Sequence, residues 1–181
     1  MDNTGKEGSP AILLIIMFLS LIIAFYWPSA TWISEPVHAI LDPTFGALLN
    51  WNVTLGMLVI IGIISLFTAL VQKYTTDQET MRDLKKQQRE INNKAKEFRH
   101  HPEKMMEIQK EVWPISWKLM RLSMRPLMFT GIPFILIFRW FWDTFTALGN
   151  PVFFGFLSWF WFYLIFAIIF GGITRKILNV A

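Results

Sequence analysis

The chain has 181 residues, of which 54% are hydrophobic and only 17% are charged, and it contains no cysteine. Disulfides and thiolate chemistry are therefore excluded. The charges are segregated, because residues 8–34, 43–72 and 150–174 carry none. Each of these runs contains a stretch long enough to cross a bilayer core of about 30 Å. The composition predicts an all-α integral membrane protein rather than a soluble domain.

The first hydrophobic segment, residues 11–27, is either a membrane span or a secretory signal peptide. The sequence PSA at 28–30 loosely resembles a cleavage site. However, the tail before the segment carries Lys6 against Asp2 and Glu7, so it lacks the basic region of a signal peptide. We therefore expect residues 1–27 to form a tail and a retained accessory span.

Four hydrophobic segments are predicted, at residues 11–27, 53–72, 124–142 and 152–173. Thirteen of the seventeen Lys and Arg residues lie between residues 73 and 125, and two more follow the last segment. The loops 28–52 and 143–151 contain neither Lys nor Arg. Because cytosolic loops are enriched in basic residues, we expect residues 73–123 and the tail 174–181 to be cytosolic. Four crossings then place the N-terminus in the cytosol as well.

In the loop 28–52, the sequence LDPTFGALLNW at residues 41–51 fits a short interfacial helix. Asp42 is a candidate N-cap, and Pro43 suits the first helical position. The apolar residues that follow share one face and would lie on the membrane surface. An irregular loop with apolar anchors explains the same residues equally well.

Residues 73–123 are predicted to form an antiparallel coiled-coil hairpin. Thr76 followed by Glu79 forms a capping box that starts the outgoing helix. Apolar residues then recur at alternating steps of three and four, which defines a heptad seam. Pro102 is well placed to open the returning helix, where the spacing resumes. The apolar residues of the seam include Met81, Leu84, Ile91, Phe98, Met105, Ile108 and Val112, and Gln88 is its polar member.

The hairpin is rich in charge, with thirteen basic and eight acidic side chains between residues 73 and 125. The basic excess fits contacts with phosphate groups of ribosomal RNA or of anionic lipids. It equally fits the solvated surface of any coiled coil. The candidate contact residues are Lys85, Lys86, Arg89, Lys94 and Lys96.

The third hydrophobic segment is short, because only thirteen uncharged residues, 126–138, separate Arg125 from Arg139. Either the helix extends past both arginines, or the bilayer is thinner around it. Asp143 follows Arg139 by four residues, so the two side chains are predicted to form an ion pair along one helical face. The pair has either a functional role inside the membrane or a structural role at its outer surface.

A candidate groove lies near the cytosolic ends of the second and third segments. Polar side chains there either line a wet groove or form hydrogen bonds between helices. A stripe of methionines spaced by four marks the point where the returning chain enters the membrane. Methionine suits surfaces that bind varied apolar partners, and it also fills gaps between helices. The candidate groove residues are Ser65, Thr68, Gln72, Met120, Met124, Met128 and Thr130.

The sequence carries no motif for covalent catalysis, and we expect neither an enzyme nor a cofactor. The adjacent His100 and His101 lack the spacing of metal ligands, so no metal site is expected. No acidic residue falls in the middle of a span, which disfavours a proton-coupled transporter.

Four stretches together resemble the archaeal branch of the YidC-type insertase superfamily, which is similar to subunits of the endoplasmic-reticulum membrane protein complex and of the Get insertase. They are VQKYTTDQETMRDLKKQQ (71–88), HPEKMMEIQKE (101–111), MRPLMFTGIPFILIFRW (124–140) and WFYLIFAIIFGGITRKIL (161–178). The resemblance covers roughly residues 40–178. Its specificity lies in the order and spacing of the motifs.

The resemblance implies a three-span insertase core at 53–72, 124–142 and 152–173, with one accessory N-terminal span. It also implies a hydrophilic groove, open to the cytosol and to lipid, beneath a thinned membrane. Clients would be nascent or tail-anchored membrane proteins, engaged with or without the ribosome, and a partner membrane subunit is conceivable in this family. The archaeal-like pattern implies a plasma membrane location.

One departure from the family pattern concerns the groove arginine that relatives often place on the first core span. That span has no charge here, and Gln72 stands where one related branch has a basic residue. Arg139 lies on a different span, so we do not equate it with the groove arginine. We expect a membrane protein insertase. The alternatives are a membrane scaffold that pairs through its hairpin and a small oligomeric ion channel.

Overall fold

The computed structural model of the protein describes residues 10–98 and 101–180. Within these residues the chain is built from α-helices and contains no β-strand, which confirms the all-α class. Three helices are long and apolar enough to cross a membrane, namely Val53–Thr75, Glu103–Ala147 and Trp159–Ile177. A fourth span is present if the bent helix pair at the N-terminal end counts as one.

Helix α1 (Pro10–Tyr26) and the helical segment that follows it are bent by 88° relative to each other. The bend falls at Pro28, because a proline disfavours helical geometry in the residue before it. Helix α1 packs along the longest helix. A Cβ atom built on Gly131 of that helix would lie 3.2 Å from Cγ2 of Ile16, so a small residue is needed at the contact.

The segment after the bend is helical from Thr31 to Trp51. It comprises α2 (Thr31–Leu41), a π-helical turn (Asp42–Gly46) and α3 (Ala47–Trp51). The N-cap predicted at Asp42 is therefore wrong, since the backbone of Asp42 is itself helical. Pro43 lacks an N–H and crowds the preceding turn, and a π-helical turn relieves such a conflict without ending the helix.

Helix α4 (Val53–Thr75) begins at Asn52, whose side chain accepts a hydrogen bond of 2.9 Å from the backbone N–H of Leu55. Its first turns lie against α3 with almost no gap. A Cβ atom on Gly56 would come within 2.3 Å of the carbonyl oxygen of Leu48. Glycine is therefore required where the two backbones meet.

Helix α5 (Gln78–Glu97) is capped by Asp77, which accepts a hydrogen bond of 3.2 Å from the N–H of Thr80. The predicted capping box is thus wrong by one residue. Thr76 is instead the C-terminal cap of α4. Asp77 rather than Thr76 caps the helix because its carboxylate is in the position that reaches the third N–H of the helix.

Helix α6 (Pro102–Ala147) begins at Pro102, where the sequence predicted a new helix. It continues for 46 residues through three prolines, so the returning arm and the second core span are one helix of roughly 70 Å. The helix therefore extends past both Arg125 and Arg139, as the first of the two alternatives for the short third segment predicts. Helix α7 (Trp159–Ile177) completes the bundle.

The core lies in the half of the bundle farthest from the α5–α6 hairpin. Aromatic side chains from α6, α7 and the loop between them dominate it, and the rings of Phe145 and Trp159 stack with centroids 5.4 Å apart. Helix α4 supplies the aliphatic part of the same core. The buried members are Leu49, Met57, Ile60, Ile61, Ile64, Trp140, Phe141, Phe145, Phe153, Trp159, Phe162 and Tyr163.

Candidate functional site

The helices separate toward the hairpin, and a cavity of about 580 Å³ lies between α4, α6 and α7. We call it the α4–α6–α7 groove. Its residues come from the hairpin-side half of α4, from the middle of α6 and from most of the length of α7, with Leu41 and Phe45 of the α2–α3 segment at the far end. Helix α4 contributes residues from Ile63 to Ala69, α6 from Leu127 to Ile137, and α7 from Tyr163 to Arg175.

The groove is closed at one end and accessible at its side. The aromatic core fills the space beyond Ile64 and Tyr163, where the ring of Phe134 also approaches Tyr163 at a centroid distance of 6.1 Å. Along its rim, Phe67, Leu127 and Phe134 are 50%, 55% and 41% exposed. Apolar residues this exposed on spanning helices face lipid, so the groove opens laterally toward the bilayer.

The wall of the groove is mostly apolar, with a few hydroxyl groups. Three threonine hydroxyls donate hydrogen bonds to backbone carbonyls one turn earlier in the same helix. The bonds are Thr68 to Ile64 at 2.8 Å, Thr130 to Pro126 at 3.0 Å and Thr174 to Phe170 at 2.8 Å. Each hydroxyl proton is thus used within its own helix rather than between helices. The oxygen lone pairs are left to accept hydrogen bonds, so the groove offers acceptors at low cost in buried polarity.

Arg175 is the charged residue that lines the groove, at its hairpin end. From the sequence, Arg175 served only to predict that the C-terminal tail is cytosolic. Lys85 of α5 lies near it: partial desolvation lowers the pKa of Lys85 even though the residue as a whole is exposed, and repulsion from Arg175 and Arg89 lowers it further. Nearby, the Arg82 guanidinium donates a hydrogen bond of 2.5 Å to the backbone carbonyl of Asn179, which ties α5 to the end of α7. The mouth of the groove is therefore basic.

Three of the predicted groove residues line the cavity, and four do not. Ser65, Thr68 and Thr130 face it together. Gln72 lies one turn beyond, where its backbone carbonyl accepts a hydrogen bond of 2.9 Å from the side-chain amide of Gln78. The predicted residues outside the cavity are Gln72, Met120, Met124 and Met128.

The methionines miss the groove for two geometric reasons: Met120 and Met124 precede Leu127, the first groove residue of α6, whereas Met128 lies on a neighbouring face. Successive residues of an α-helix differ by about 100° in direction. Leu127 lines the groove, so Met128 points well away from it. Met124 and Met128 are half-buried, and Met120 is 41% exposed. Spacing by four identifies a stripe on a helix but does not indicate which neighbour the stripe faces.

The hairpin pairs α5 with the first part of α6. Met81 and Leu84 are buried against Leu122, with Ile115 and Leu119 beside them. One step farther out, Gln88 donates 2.9 Å to the hydroxyl of Ser116. At the tip, the Lys104 ammonium lies 4.7 Å from the ring centre of Phe98. The outer seam residues Ile91, Phe98, Met105, Ile108 and Val112 are half-buried, whereas Lys85, Lys86, Arg89, Lys94 and Lys96 are exposed.

At the opposite end of the molecule, Asp143 has more partners than the predicted one. Its carboxylate lies 3.8 Å from the Arg139 guanidinium. It also accepts a hydrogen bond of 2.5 Å from the indole N–H of Trp27, and it lies 3.6 Å from the His38 ring. His38 is also 3.2 Å from Asp42, which accepts 2.7 Å from the indole of Trp140. The Arg139 guanidinium therefore belongs to a network that ties α1 and α2 to α6.

In the part of the chain that the structure describes, no three His, Asp or Glu side chains are arranged so that they could hold a metal ion, and the cluster of His38, Asp42 and Asp143 is no exception. His100, one of the histidines considered from the sequence, lies outside the described residues. The site is therefore a groove with an apolar wall, scattered hydroxyls and a basic mouth. Such a site is suited to holding an amphiphilic segment.

The sequence matches the family model "Integral membrane protein EMC3/TMCO1-like" over residues 38–153. The match runs from α2 to the loop after α6, so it contains two of the three helices that form the groove. No curated protein and no solved structure matches the chain. The family is part of the YidC/Oxa1/Alb3 insertase superfamily, is related to subunits of the endoplasmic-reticulum membrane complex, and is not a known family of catalytic enzymes. The chain therefore belongs to the EMC3/TMCO1-like family of integral membrane proteins, a family associated with membrane protein insertion.

Proposed function

We propose that the protein inserts transmembrane segments of client proteins into the bilayer through the α4–α6–α7 groove, without covalent chemistry. The observation that supports this most is the uneven packing of the three helices. Aromatic side chains fill the half of the bundle away from the hairpin, whereas the half next to the hairpin holds a cavity of about 580 Å³. A segment arriving from the hairpin side thus meets an open site that ends inside the membrane.

The groove would lower the barrier for the polar end of a client. Each unshielded polar group costs several kcal/mol in hydrocarbon. The hydroxyl oxygens of Ser65, Thr68 and Thr130, together with water admitted at the mouth, offer partners to such groups. The apolar part of the client leaves sideways past Phe67 and Leu127, which already face lipid. Entry into the bilayer then needs no complete transfer through hydrocarbon.

The hairpin is proposed to be the cytosolic receiving arm, which binds the client or its ribosome. Its exposed basic residues include Lys86, Lys94 and Lys96, and its seam pairs α5 with α6 so that both arms stay extended. In this orientation both chain ends are cytosolic, and the loop after α6 lies outside a plasma membrane. The Met120–Met124–Met128 stripe, next to the groove on α6, is proposed to contact apolar client residues before they enter.

Reconstitution into liposomes with a tail-anchored client tests the proposal. We expect insertion several-fold faster than in empty liposomes. A photoreactive residue at Thr68 should crosslink to the client, whereas one at Leu66, which lies on the same helix but outside the groove and is 46% exposed, should not.

A matched pair of glycine variants tests whether the groove carries the activity. A Cβ atom on either Gly171 or Gly172 meets nothing within 4 Å, but only Gly171 lines the groove. Gly171→Phe should slow insertion several-fold, and Gly172→Phe should leave it unchanged. Insertion no faster than in empty liposomes, or equal crosslinking at positions 66 and 68, would contradict the proposal.

A further inference from the structure

Three basic side chains lie together at the mouth of the groove. Lys85, Arg89 and Arg175 lie close enough that the two arginines lower the pKa of the lysine. The ion pairs within residues 10–98 and 101–180 that join His38, Asp42, Arg139 and Asp143 lie at the other end of the bundle and include none of the three. Like charges held together repel each other, so this arrangement favours an anion that bridges them.

The same site continues into an apolar cavity. Arg175 is one of the groove residues, so the basic mouth and the cavity share a wall. Just inside it lie Ala69, Leu127 and Gly171, which carry no charge. The opening between Phe67 and Leu127 faces lipid, as their exposure shows. A ligand that fits all of this has an anionic head and a long apolar tail, and it reaches the site from the bilayer.

We propose that the groove, when it holds no client, binds an anionic phospholipid, with the phosphate at Lys85, Arg89 and Arg175 and one acyl chain between α4, α6 and α7. Arginine binds phosphate oxygens in pairs through its planar guanidinium, and basic pockets between spanning helices bind anionic headgroups. The acyl chain fills space that would otherwise be an apolar void.

Two features favour a lipid over free phosphate or over an acidic peptide. Free phosphate uses the three cations but leaves the apolar cavity unexplained. An acidic peptide brings carboxylates and backbone carbonyls that need hydrogen-bond donors, and the hydroxyls of Thr68, Thr130 and Thr174 cannot supply them because their protons are used within their own helices. An acyl chain needs no hydrogen bonds. The lipid site goes beyond the proposed insertion activity and does not depend on it.

Native mass spectrometry of the detergent-purified chain tests the lipid site. The protein is mixed with equal amounts of phosphatidylglycerol and phosphatidylcholine of identical chains. We expect phosphatidylglycerol to be retained at least several-fold more than phosphatidylcholine. The triple variant Lys85→Gln, Arg89→Gln, Arg175→Gln should lose this preference.

Two controls separate charge from cavity. A variant with Lys94→Gln, Lys96→Gln and Lys110→Gln removes the same charge from exposed positions nearer the hairpin tip, and it should keep the preference. Gly171→Leu fills the cavity and should lower retention of phosphatidylglycerol several-fold, whereas Gly172→Leu should not. Circular dichroism of each variant checks that the helices remain folded.

Three results would overturn the proposal. The first is equal retention of the two lipids by the unchanged protein. The second is unchanged phosphatidylglycerol retention in Gly171→Leu, which would mean that headgroups only touch surface charge. The third is displacement of the lipid by millimolar inorganic phosphate, or by a soluble acidic peptide without an apolar tail, since neither fills the cavity. A failure of insertion in liposomes would leave this test unaffected, and the reverse also holds.

Discussion

Among the glycines that the structure describes, Gly56 is the one at which an added methyl group would meet the shortest contact. Its Cβ position lies 2.3 Å from the carbonyl oxygen of Leu48 and 2.9 Å from the backbone N of Leu49, and neither atom can rotate away. We expect Gly56→Ala to push α3 off α4 and to destabilise the fold by about 1–3 kcal/mol or more, as overpacking does. The melting temperature in detergent measures the loss.

Gly62, on the same helix, provides the control for that prediction. A Cβ atom there would lie 3.6 Å from a ring carbon of Phe170, which is an ordinary contact. Gly62→Ala should therefore leave the melting temperature unchanged or raise it, because alanine favours a helix by about 0.5–1 kcal/mol over glycine. Equal destabilisation by the two substitutions would mean that the close contact between α3 and α4 does not limit stability.

Lys85 carries a pH dependence that the groove mouth imposes on it. Burial and the charges of Arg175 and Arg89 lower its pKa below the ordinary 10.5. The charged form therefore destabilises the folded arrangement at neutral pH, and that destabilisation disappears as the pH rises through the lowered pKa toward the unfolded value. Arg175→Gln should raise the pKa of Lys85, whereas Lys176→Gln should not. NMR titration of ¹³C-methylated lysine measures both, and identical curves in the two variants would exclude Arg175 as a cause.

The residues that line the groove could be predicted from the sequence to different degrees. Ser65, Thr68 and Thr130 were recognised because isolated hydroxyls are conspicuous in an apolar span. Arg175 was not recognised as a groove residue, because a basic residue after the last span is expected from topology alone. Its position follows from the last turn of α7 facing α5, and that contact depends on tertiary packing rather than on local sequence.

At the scale of elements, local signals in the sequence predict where helices α5 and α6 begin. The heptad spacing, Asp77 near the expected cap and Pro102 at the start of α6 are all local signals. The continuity of α6 through Pro126 and Pro133 was not predictable in the same way. A proline favours a break, and only packing against neighbouring helices decides whether the helix continues instead.

The C-terminal end of α1 is tied to the bundle by the hydrogen bond of 2.5 Å from the indole of Trp27, the residue after the helix, to Asp143. Trp27 is 2% exposed, so the donor side of this bond is shielded from water, while the acceptor Asp143 is 31% exposed. We expect Trp27→Phe to loosen α1 from α6, at a cost of about 1.5–3 kcal/mol for a lost bond to a charged group. Distances between spin labels at positions 19 and 132 should become broader.

The chain lends itself to this measurement because it has no cysteine, so two introduced cysteines are the only labelled sites. The control is Trp32→Phe, since Trp32 is 77% exposed and its ring contributes little packing. A distance distribution that stays narrow in Trp27→Phe would mean that apolar contacts such as Ile16 with Gly131 hold α1 without the hydrogen bond.

At the scale of the whole molecule, the two ends of the bundle are built for opposite tasks. Away from the hairpin, Trp27, His38, Asp42, Arg139 and Asp143 join in one network over an aromatic core, so that end is fixed. Next to the hairpin, the same helices are apart and the polar groups converge on an opening. The composition of the chain does not reveal this asymmetry, because aromatic residues are frequent in both α6 and α7.

The asymmetry predicts where water reaches the interior. Single cysteines are introduced at Thr68 and Gly171 in the groove, at Ile60 in the sealed core, and at Leu66 facing lipid. A thiol reacts with a maleimide only as the hydrated thiolate. We therefore expect a membrane-impermeant maleimide, added on the hairpin side of proteoliposomes, to label positions 68 and 171 and to spare 60 and 66. Lys94→Cys on the hairpin reports full access from that side.

Labelling of position 68 only after detergent is added would mean that the groove is dry, and equal labelling of 66 and 68 would mean that the reagent enters through lipid. Either result would remove the physical basis for a polar client end to enter the bilayer at this site.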